Sequence, residues 1–328
     1  MSQLTKESKI VEVCSQVMKN PATIANEDYQ KAQEVIKELA SNPNPNNLYE
    51  LAKLVGFLVD DKFTENVNQY VDLIADIKRV ALGDKAMFKM QKGIVQAKWQ
   101  AKGSTAQRSM VGTEYTTLET DEISASPAIE MEQLQNGQID FTSVVNEAAE
   151  AMEHTFIKQI ETVIEAYWDD LGTAWYNSAN GVTSAIDPII TAVSRLGAPV
   201  VLGDMAALQK FVALTGFNNI VPEQYAVEFH RTGMIGSYRG ARLVQLVNPL
   251  TIETDMTTTL LDKGYIYILP AGADKTKRPL KLVFEGTVDT YETRYNQSRL
   301  LEIAMYKKVG IGLVSQRYGM GFFEDTGL

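Results

Sequence analysis

The sequence predicts an α+β protein, and the spacing of its apolar side chains carries this prediction. Residues 1–82 place apolar side chains at helical intervals, and residues 84–137 change to a period of two. A long helix is then predicted over residues 141–171. After residue 198, short β-like runs alternate with turn residues, and the chain closes on one long half-buried strand.

The first 83 residues are predicted to form a helical N-terminal arm. Asn26 fits the N-cap of the second helix, and Gly83 ends the last one. Helices are expected over residues 9–18, 26–39, 48–58 and 67–82.

Residues 84–137 are predicted to form an extended loop, a β-hairpin. Its outgoing strand alternates apolar residues with lysines, and residues 101–106 are small and polar, as at a loop tip. An isolated ribbon of this kind is only marginally stable in water. We therefore expect the loop to pack on something outside its own domain.

Residues 141–171 are predicted to form one amphipathic helix of about 45 Å, a length common in structural spines. At 100° per residue its apolar face consists of Val145, Ala148, Met152, Phe156, Ile160, Val163 and Tyr167. The opposite face carries a polar stripe of Glu147, Glu150, His154, Lys158, Glu161, Glu165 and Asp169.

The remaining elements are shorter. Apolar side chains occupy the odd positions of the closing strand, and residues 280–284 are expected to be its partner. Helices are predicted over residues 188–196 and 205–214, and strands over 199–202, 242–247, 265–269 and 301–313.

Charge changes sign sharply along the extended loop and the long helix. Residues 86–112 hold no acid and five cations: Lys89, Lys92, Lys98, Lys102 and Arg108. Residues 113–170 hold fourteen acids and one cation, Lys158. A basic segment followed by an acidic helix folds back on itself or reaches a copy of itself.

We favour the contact between copies. Its alternative is that the acidic stripe merely faces solvent. The hypothesis places Lys98, Lys102 and Arg108 on a neighbouring subunit's Glu147, Glu150, Glu161 and Glu165.

Composition limits the class of protein. Of 328 residues, 45% are hydrophobic and 22% charged, as in ordinary soluble globular proteins. A net charge of −10 argues against a sequence-specific nucleic-acid reader, but not against a container for nucleic acid. The single cysteine, Cys14, excludes an internal disulfide. Neither a signal peptide nor a membrane-spanning run is predicted.

No motif predicts catalysis. Neither His154 nor His230 has a second histidine or a cysteine at ligand spacing. Residues 310–315 loosely resemble the start of a dinucleotide site, but they lie late in a strand and lack the third glycine. We therefore predict that the protein is not an enzyme and has no catalytic residue, metal site or cofactor.

Taken in order, these elements resemble a tailed-phage major capsid protein of the Hong Kong 97 type. The order of the stretches carries the likeness, since no single motif is diagnostic. The stretches are the loop 88–134 with Trp99-Gln100-Ala101-Lys102-Gly103, the helix 141–171, residues 200–205 and 233–244, and residues 267–272 with the closing strand.

The resemblance implies a Hong Kong 97-type capsid fold with a spine helix and separate axial and peripheral domains. Copies of such a subunit form the hexamers and pentamers of an icosahedral shell around a double-stranded DNA phage genome. The implied segments are the extended loop at 84–137, a peripheral domain with the spine helix at 138–197, an axial domain at 198–278, and strands returning to the peripheral domain at 279–328.

The resemblance also implies partners and a location. The partners are further copies of the chain, a portal, a scaffolding protein and any decoration protein, with non-specific proximity to packaged DNA and no membrane. The location is the virion, after assembly in the host cytoplasm. Three alternatives stay open: an encapsulin-like nanocompartment shell, a tail or baseplate protein, and an enzyme of unknown type.

Overall fold

The computed structural model describes about two thirds of the chain in separate stretches. These are residues 34, 45–71, 75–92, 102, 112–130, 132–133, 136, 141–167, 175–182, 184–213, 235–246, 248–250, 258–271, 278–295, 300–313 and 319–328. The helices predicted over 9–18 and 26–39 lie outside them, apart from Glu34.

Helices and strands alternate irregularly along the described residues. The α-helices are α1 (Pro45–Val71), α2 (Phe141–Glu165), α3 (Asp187–Ser194) and α4 (Met205–Gln209). The strands are β1 (Ala75–Val80), β2 (Met87–Lys92), β3 (Gly112–Thr117), β4 (Asp121–Ala125), β5 (Ala128–Glu130), β6 (Tyr176–Ala179), β7 (Ala198–Gly203), β8 (Ser237–Tyr238), β9 (Ala241–Gln245), β10 (Tyr265–Ala271), β11 (Leu280–Tyr295), β12 (Leu300–Leu313) and β13 (Gly321–Asp325).

The first sheet has the order β1-β11-β12-β4, and β5 also pairs with β12. β1 runs parallel to the start of β11, whereas β11 and β12 are antiparallel along most of their length. A bulge interrupts that ladder between Glu285 and Asp289. The predicted pairing of residues 280–284 with the closing strand is confirmed.

Helices α1 and α2 pack together on one face of this sheet. Phe63 of α1, Phe156 of α2 and Phe284 of β11 are buried, with ring centroids 5.8, 6.1 and 5.7 Å apart in pairs. The predicted apolar face of the long helix is buried at Val145, Ala148, Met152, Phe156 and Ile160. The buried apolar residues of α1 are Leu48, Leu51, Ala52, Leu54, Val55, Leu58, Val59, Phe63, Val67 and Val71.

The predicted helix over residues 67–82 is wrong in its second half. α1 is continuous to Val71, and Ala75–Val80 forms strand β1. The cause is tertiary: β1 hydrogen-bonds to β11, and the Nζ of buried Lys281 lies 3.1 Å from the Oδ2 of Asp76. Pairing of this kind overrides local helical spacing.

A second buried lysine joins the first sheet to α1. Lys307 points inward from β12, and its Nζ donates to the Oδ1 of Asp60 at 2.7 Å and to the carbonyl of Gly286 at 2.7 Å. Its side chain is only 3% exposed. Both partners are needed because an unpaired buried ammonium is strongly unfavourable.

The second sheet has the order β6-β13-β10-β7-β9-β8. α3 covers it with Ile189, Ile190 and Val193, and the predicted helix and strand at 188–196 and 199–202 are confirmed. Asp204 caps α4 by accepting from the amide of Ala206 at 2.8 Å. The second sheet also contains β6, which precedes residue 198, and β13, which follows residue 278. The strands of this sheet therefore extend beyond the segment 198–278 on both sides.

Candidate assembly surface

The base of the extended loop forms a ribbon of β2 and β3, as predicted. Its inner face places Phe88 against Val283 of the first sheet, where both are buried. Met87 and Tyr115 lie together on the outer face, and they are 58% and 61% exposed. Large apolar side chains on an open ribbon face are typical of a surface that another chain covers.

The loop's predicted contact residues are only partly described. Lys102 is exposed at a turn, whereas Lys98 and Arg108 lie outside the described residues. Lys89 on the ribbon's outer face is also exposed. Lys89 and Lys102 are therefore available at the surface.

The polar stripe of α2 is exposed in its first half. Glu147 and Glu150 face solvent, and the Oε1 of Glu147 accepts from the hydroxyl of Ser143 at 3.1 Å. Glu165 is half-buried at the other end of the helix. Two carboxylates one turn apart make a negatively charged surface on the first half of α2.

Glu161 does not belong to that exposed stripe, and its prediction as a surface contact is wrong. The side chain is 1% exposed. Its Oε1 accepts from the amide of Asp262 at 3.0 Å and from the hydroxyl of Tyr267 at 3.5 Å, while its Oε2 accepts from Lys158 at 2.5 Å. Glu161 therefore joins α2 to the second sheet within one subunit.

Burial and the carboxylate of Glu161 both raise the pKa of the Tyr267 hydroxyl. Desolvation is the larger effect, and the nearby carboxylates of Glu161 and Glu165 add to it, so the pKa of the Tyr267 hydroxyl lies well above its usual value. The hydroxyl stays protonated and remains a donor to Glu161. The hydrogen bond from Tyr267 to Glu161 therefore holds β10 against α2.

An apolar cavity of about 50 Å³ lies beside this link. Its walls come from α1, α2 and both sheets: Val71, Ile157, Ile160, Glu161, Ile164, Leu202, Leu246, Leu261, Tyr267, Leu269, Leu280 and Met320. Among the described residues, no group of three or more His, Cys, Asp or Glu side chains is placed to hold a metal ion. None of the described helices is long and apolar enough to cross a membrane.

Sequence reasoning missed several surface residues that the fold exposes. Tyr291 of β11 is 62% exposed and lies 5.8 Å from the ring of Tyr306 on the neighbouring strand. Met87 and Phe88 are consecutive residues of β2, so their side chains lie on opposite faces of the ribbon, and both are apolar. Apolar side chains on both faces of one extended segment were the available signal, and it points to a ribbon covered on both sides.

Solved structures share this fold at low sequence identity. The mature capsid of bacteriophage PhiM1 is 12% identical with a TM-score of 0.51, covering 78% of this chain and 86% of that chain. Mycobacterium phage Cain is 10% identical (TM-score 0.50; 76% and 88% covered). The head of Helicobacter pylori bacteriophage KHP40 is 10% identical (TM-score 0.50; 75% and 86% covered). The mixed helix and sheet fold is that of phage capsid proteins.

A family match accompanies the fold. Residues 1–324 match the SPbeta prophage-derived putative capsid protein YonB, and the chain belongs to this family. No curated protein matches the chain. Family and fold together define a phage major capsid protein, which has a structural role and forms the shell of the virion.

Proposed function

We propose that copies of this chain assemble into the hexamers and pentamers of an icosahedral, Hong Kong 97-type shell around double-stranded DNA. Membership of the capsid family over residues 1–324 is the observation that carries this proposal. The fold supports it, because one chain presents a ribbon with Met87 and Tyr115 exposed on its outer face and a helix with Glu147 and Glu150 exposed on its first half. Each is a surface that repeated copies are able to share.

The segments take the following roles in the proposal. The first sheet with α1 and α2 forms the peripheral domain between capsomers, and the second sheet with α3 forms the axial domain around the capsomer centre. The cluster shared by α3 and the second sheet contains no residue of the first sheet, which supports this division, although the cluster of the first sheet extends onto Leu202, Tyr267 and Phe322 of the second. Residues 84–137 form the extended loop that reaches a neighbour.

The contact between neighbours is electrostatic in this proposal. Lys98, Lys102 and Arg108 lie on the Glu147 and Glu150 carboxylates of the next subunit, with Glu165 at the far end. The exposure of Lys102, Glu147 and Glu150 supports this arrangement, and buried Glu161 takes no part in it. Each exposed pair contributes about 0.2–1 kcal/mol, so the contacts set register through their number.

Other partners follow from the shell. A portal, a scaffolding protein and any decoration protein assemble with it in the host cytoplasm. The net charge of −10 supports a container that does not adhere to its DNA, because like charges keep the two apart.

Negative-stain electron microscopy after size-exclusion chromatography tests the shell. We expect closed particles of uniform diameter from the chain alone or from its co-expression with a scaffold encoded beside it. A monomer under both conditions, or open tubes, would contradict the proposal. Enzyme cargo inside the particles, with no DNA, would identify a nanocompartment instead.

The charge contact is tested by the triple reversal Lys98→Glu, Lys102→Glu and Arg108→Glu. We expect closed shells to be lost, because three positive charges become negative, a change of six charge units opposite an acidic helix. The electron micrographs are repeated with Glu147→Lys, Glu150→Lys and Glu165→Lys added.

Restored shells in this sextuple variant show that the charges meet each other. A matched control reverses three exposed arginines elsewhere, Arg79, Arg195 and Arg242. Normal shells from the loop reversal would contradict the charge contact. So would an equal loss of shells in the loop and control reversals, if the sextuple variant does not restore them.

A further inference from the structure

Strand β11 has 16 residues and is longer than β1, its neighbour on the side away from β12, which has 6. β1 pairs with Leu280–Glu285 only, and β11 continues to Tyr295 as the partner of β12. Along residues 287–293, none of the strands that the structure describes pairs with the other side of β11. This segment of β11, here called the open edge, is a template for another strand.

The direction of the backbone groups along the open edge follows from the register. The amide of Ile303 donates to the carbonyl of Pro127 at 3.2 Å, so it points away from β11. Ile303 lies opposite Glu292, which makes them a non-hydrogen-bonded pair. The N–H and C=O of Glu292 therefore point outward, and those of Thr290, two residues earlier, do the same.

The side chains of the open edge leave it accessible to a strand of another chain. Asp289, Tyr291 and Thr293 are exposed on the face opposite α1. The sequence Thr287 to Thr293 contains neither proline nor lysine, and its only charges are the acids Asp289 and Glu292, which a pairing register has to keep apart. Its threonines and tyrosine favour a strand.

We propose that the open edge pairs antiparallel with the same edge of a second copy, about a two-fold axis at Tyr291. The inference rests on the proposed self-assembly and names one of its interfaces. Thr290 then faces the partner subunit's Glu292 in a hydrogen-bonded pair. Asp289 faces the partner subunit's Thr293, and the two first sheets become continuous.

Charge and ring packing select this register. An axis at Glu292 would place two carboxylates directly opposite each other, which is unfavourable. An axis at Tyr291 places each acid opposite a threonine. Tyr291 then meets the partner subunit's Tyr291 in the closely spaced, non-hydrogen-bonded type of pair, where aromatic side chains stabilise a sheet. Tyr306, 5.8 Å away, extends the aromatic contact.

Disulfide trapping tests the register. Cys14 is the only cysteine, so Cys14→Ser with Tyr291→Cys leaves one thiol per chain. In the proposed pair the two Cα atoms are about 4.5 Å apart, within the range that a disulfide spans. We expect covalent dimers as the main species when assembled shells are treated with oxidised glutathione and run on a non-reducing gel.

Two further variants in the Cys14→Ser background control the trapping. Thr293→Cys places its thiols about 13 Å apart and should stay monomeric. Asp289→Cys with Thr293→Cys should cross-link again, because the register makes these residues partners. Cross-linking of Thr293→Cys alone, or no cross-linking of Tyr291→Cys in intact shells, would overturn the proposal.

A backbone variant separates this edge from folding and from the shell itself. Glu292→Pro removes an outward N–H without touching the β12 ladder, as edge strands tolerate. We expect an unchanged urea midpoint of the unassembled chain and loss of the cross-link when Tyr291→Cys is also present. A cross-link that survives Glu292→Pro contradicts the edge pairing. If the unmodified chain forms no shells, the shell proposal fails, and trapping of the concentrated Cys14→Ser, Tyr291→Cys chain in solution still decides the edge.

Discussion

A carboxylate is buried beside each of the two sheets, Glu153 beside the first and Asp325 in the second, and the two differ in their hydrogen-bond donors. Asp325, at the end of β13 in the second sheet, accepts from the amides of Gly181 and Gly327 at 2.7 and 2.9 Å and from Lys210 at 2.8 Å. Glu153, on α2 beside the first sheet, accepts from the side-chain amide of Asn66 at 2.7 Å. Asp325 is 3% exposed and Glu153 is 6% exposed.

The two pKa values move in opposite directions. Burial raises the pKa of Asp325, but the Lys210 ammonium and the amides of Gly327 and Gly181 outweigh it, so the pKa lies below its usual value. Burial also raises the pKa of Glu153, and there the single amide of Asn66 does not compensate. Asp325 has three donors, one of them charged, whereas Glu153 has one neutral donor and a larger desolvation, so the two pKa values shift in opposite directions.

The largest expected effect is at Asp325. Asp325→Ala leaves two buried amides and the Lys210 ammonium without their acceptor, so we expect the free energy of unfolding to fall by about 2–3 kcal/mol at pH 7. Urea denaturation of the unassembled chain measures this. Asp84→Ala, at an exposed turn, is the control and should change little; equal stability of Asp325→Ala and wild type would show that the three donors are indifferent to the carboxylate.

The pH dependence at Asp325 sharpens the comparison. Its folded pKa is below the unfolded value of 3.8, so its stabilisation is complete above that value and is lost as pH falls through the folded pKa. We expect the difference in unfolding free energy between wild type and Asp325→Asn to stay constant from about pH 7 to 5 and to shrink below about pH 4. A difference that grows in acid would reverse the assignment.

The smallest expected effect is at Glu153 and has the opposite sign. Its folded pKa is raised, so the folded chain loses stability as pH rises through that value. Glu153→Gln keeps an acceptor for Asn66 without the buried charge, and we expect it to stabilise the chain by about 0.5–1 kcal/mol at pH 7 and not near pH 4. Thermal unfolding at both pH values measures this, with exposed Glu119→Gln as control. A loss of stability of Glu153→Gln at pH 7 would contradict it.

Local patterns predicted the elements that depend on local spacing. The 3.6-residue period located α2, and the period of two located β12 and the ribbon of β2 and β3, because each of these elements buries one face along its whole length. The family resemblance came from the order of these elements and is confirmed by the match over residues 1–324.

The failures occurred where a distant segment decides. Residues 75–80 have Ile77 and Val80 at positions that suit a helix, but their partner is β11, about two hundred residues later. Glu161 fits the polar stripe by angle, yet the second sheet covers that end of α2. Periodicity reports which face a side chain occupies, and it cannot report what the rest of the chain places there.

Helix α1 also determines where the chain tolerates a cut or a graft. Its Leu51, Val55, Leu58 and Phe63 are fully buried in the core shared by α2 and the first sheet. A protease that removed this helix would expose the apolar faces of β11 and α2 that it covers, and we expect the subunit to unfold. Trimming from the N-terminal side that preserves this core therefore has to stop before Pro45.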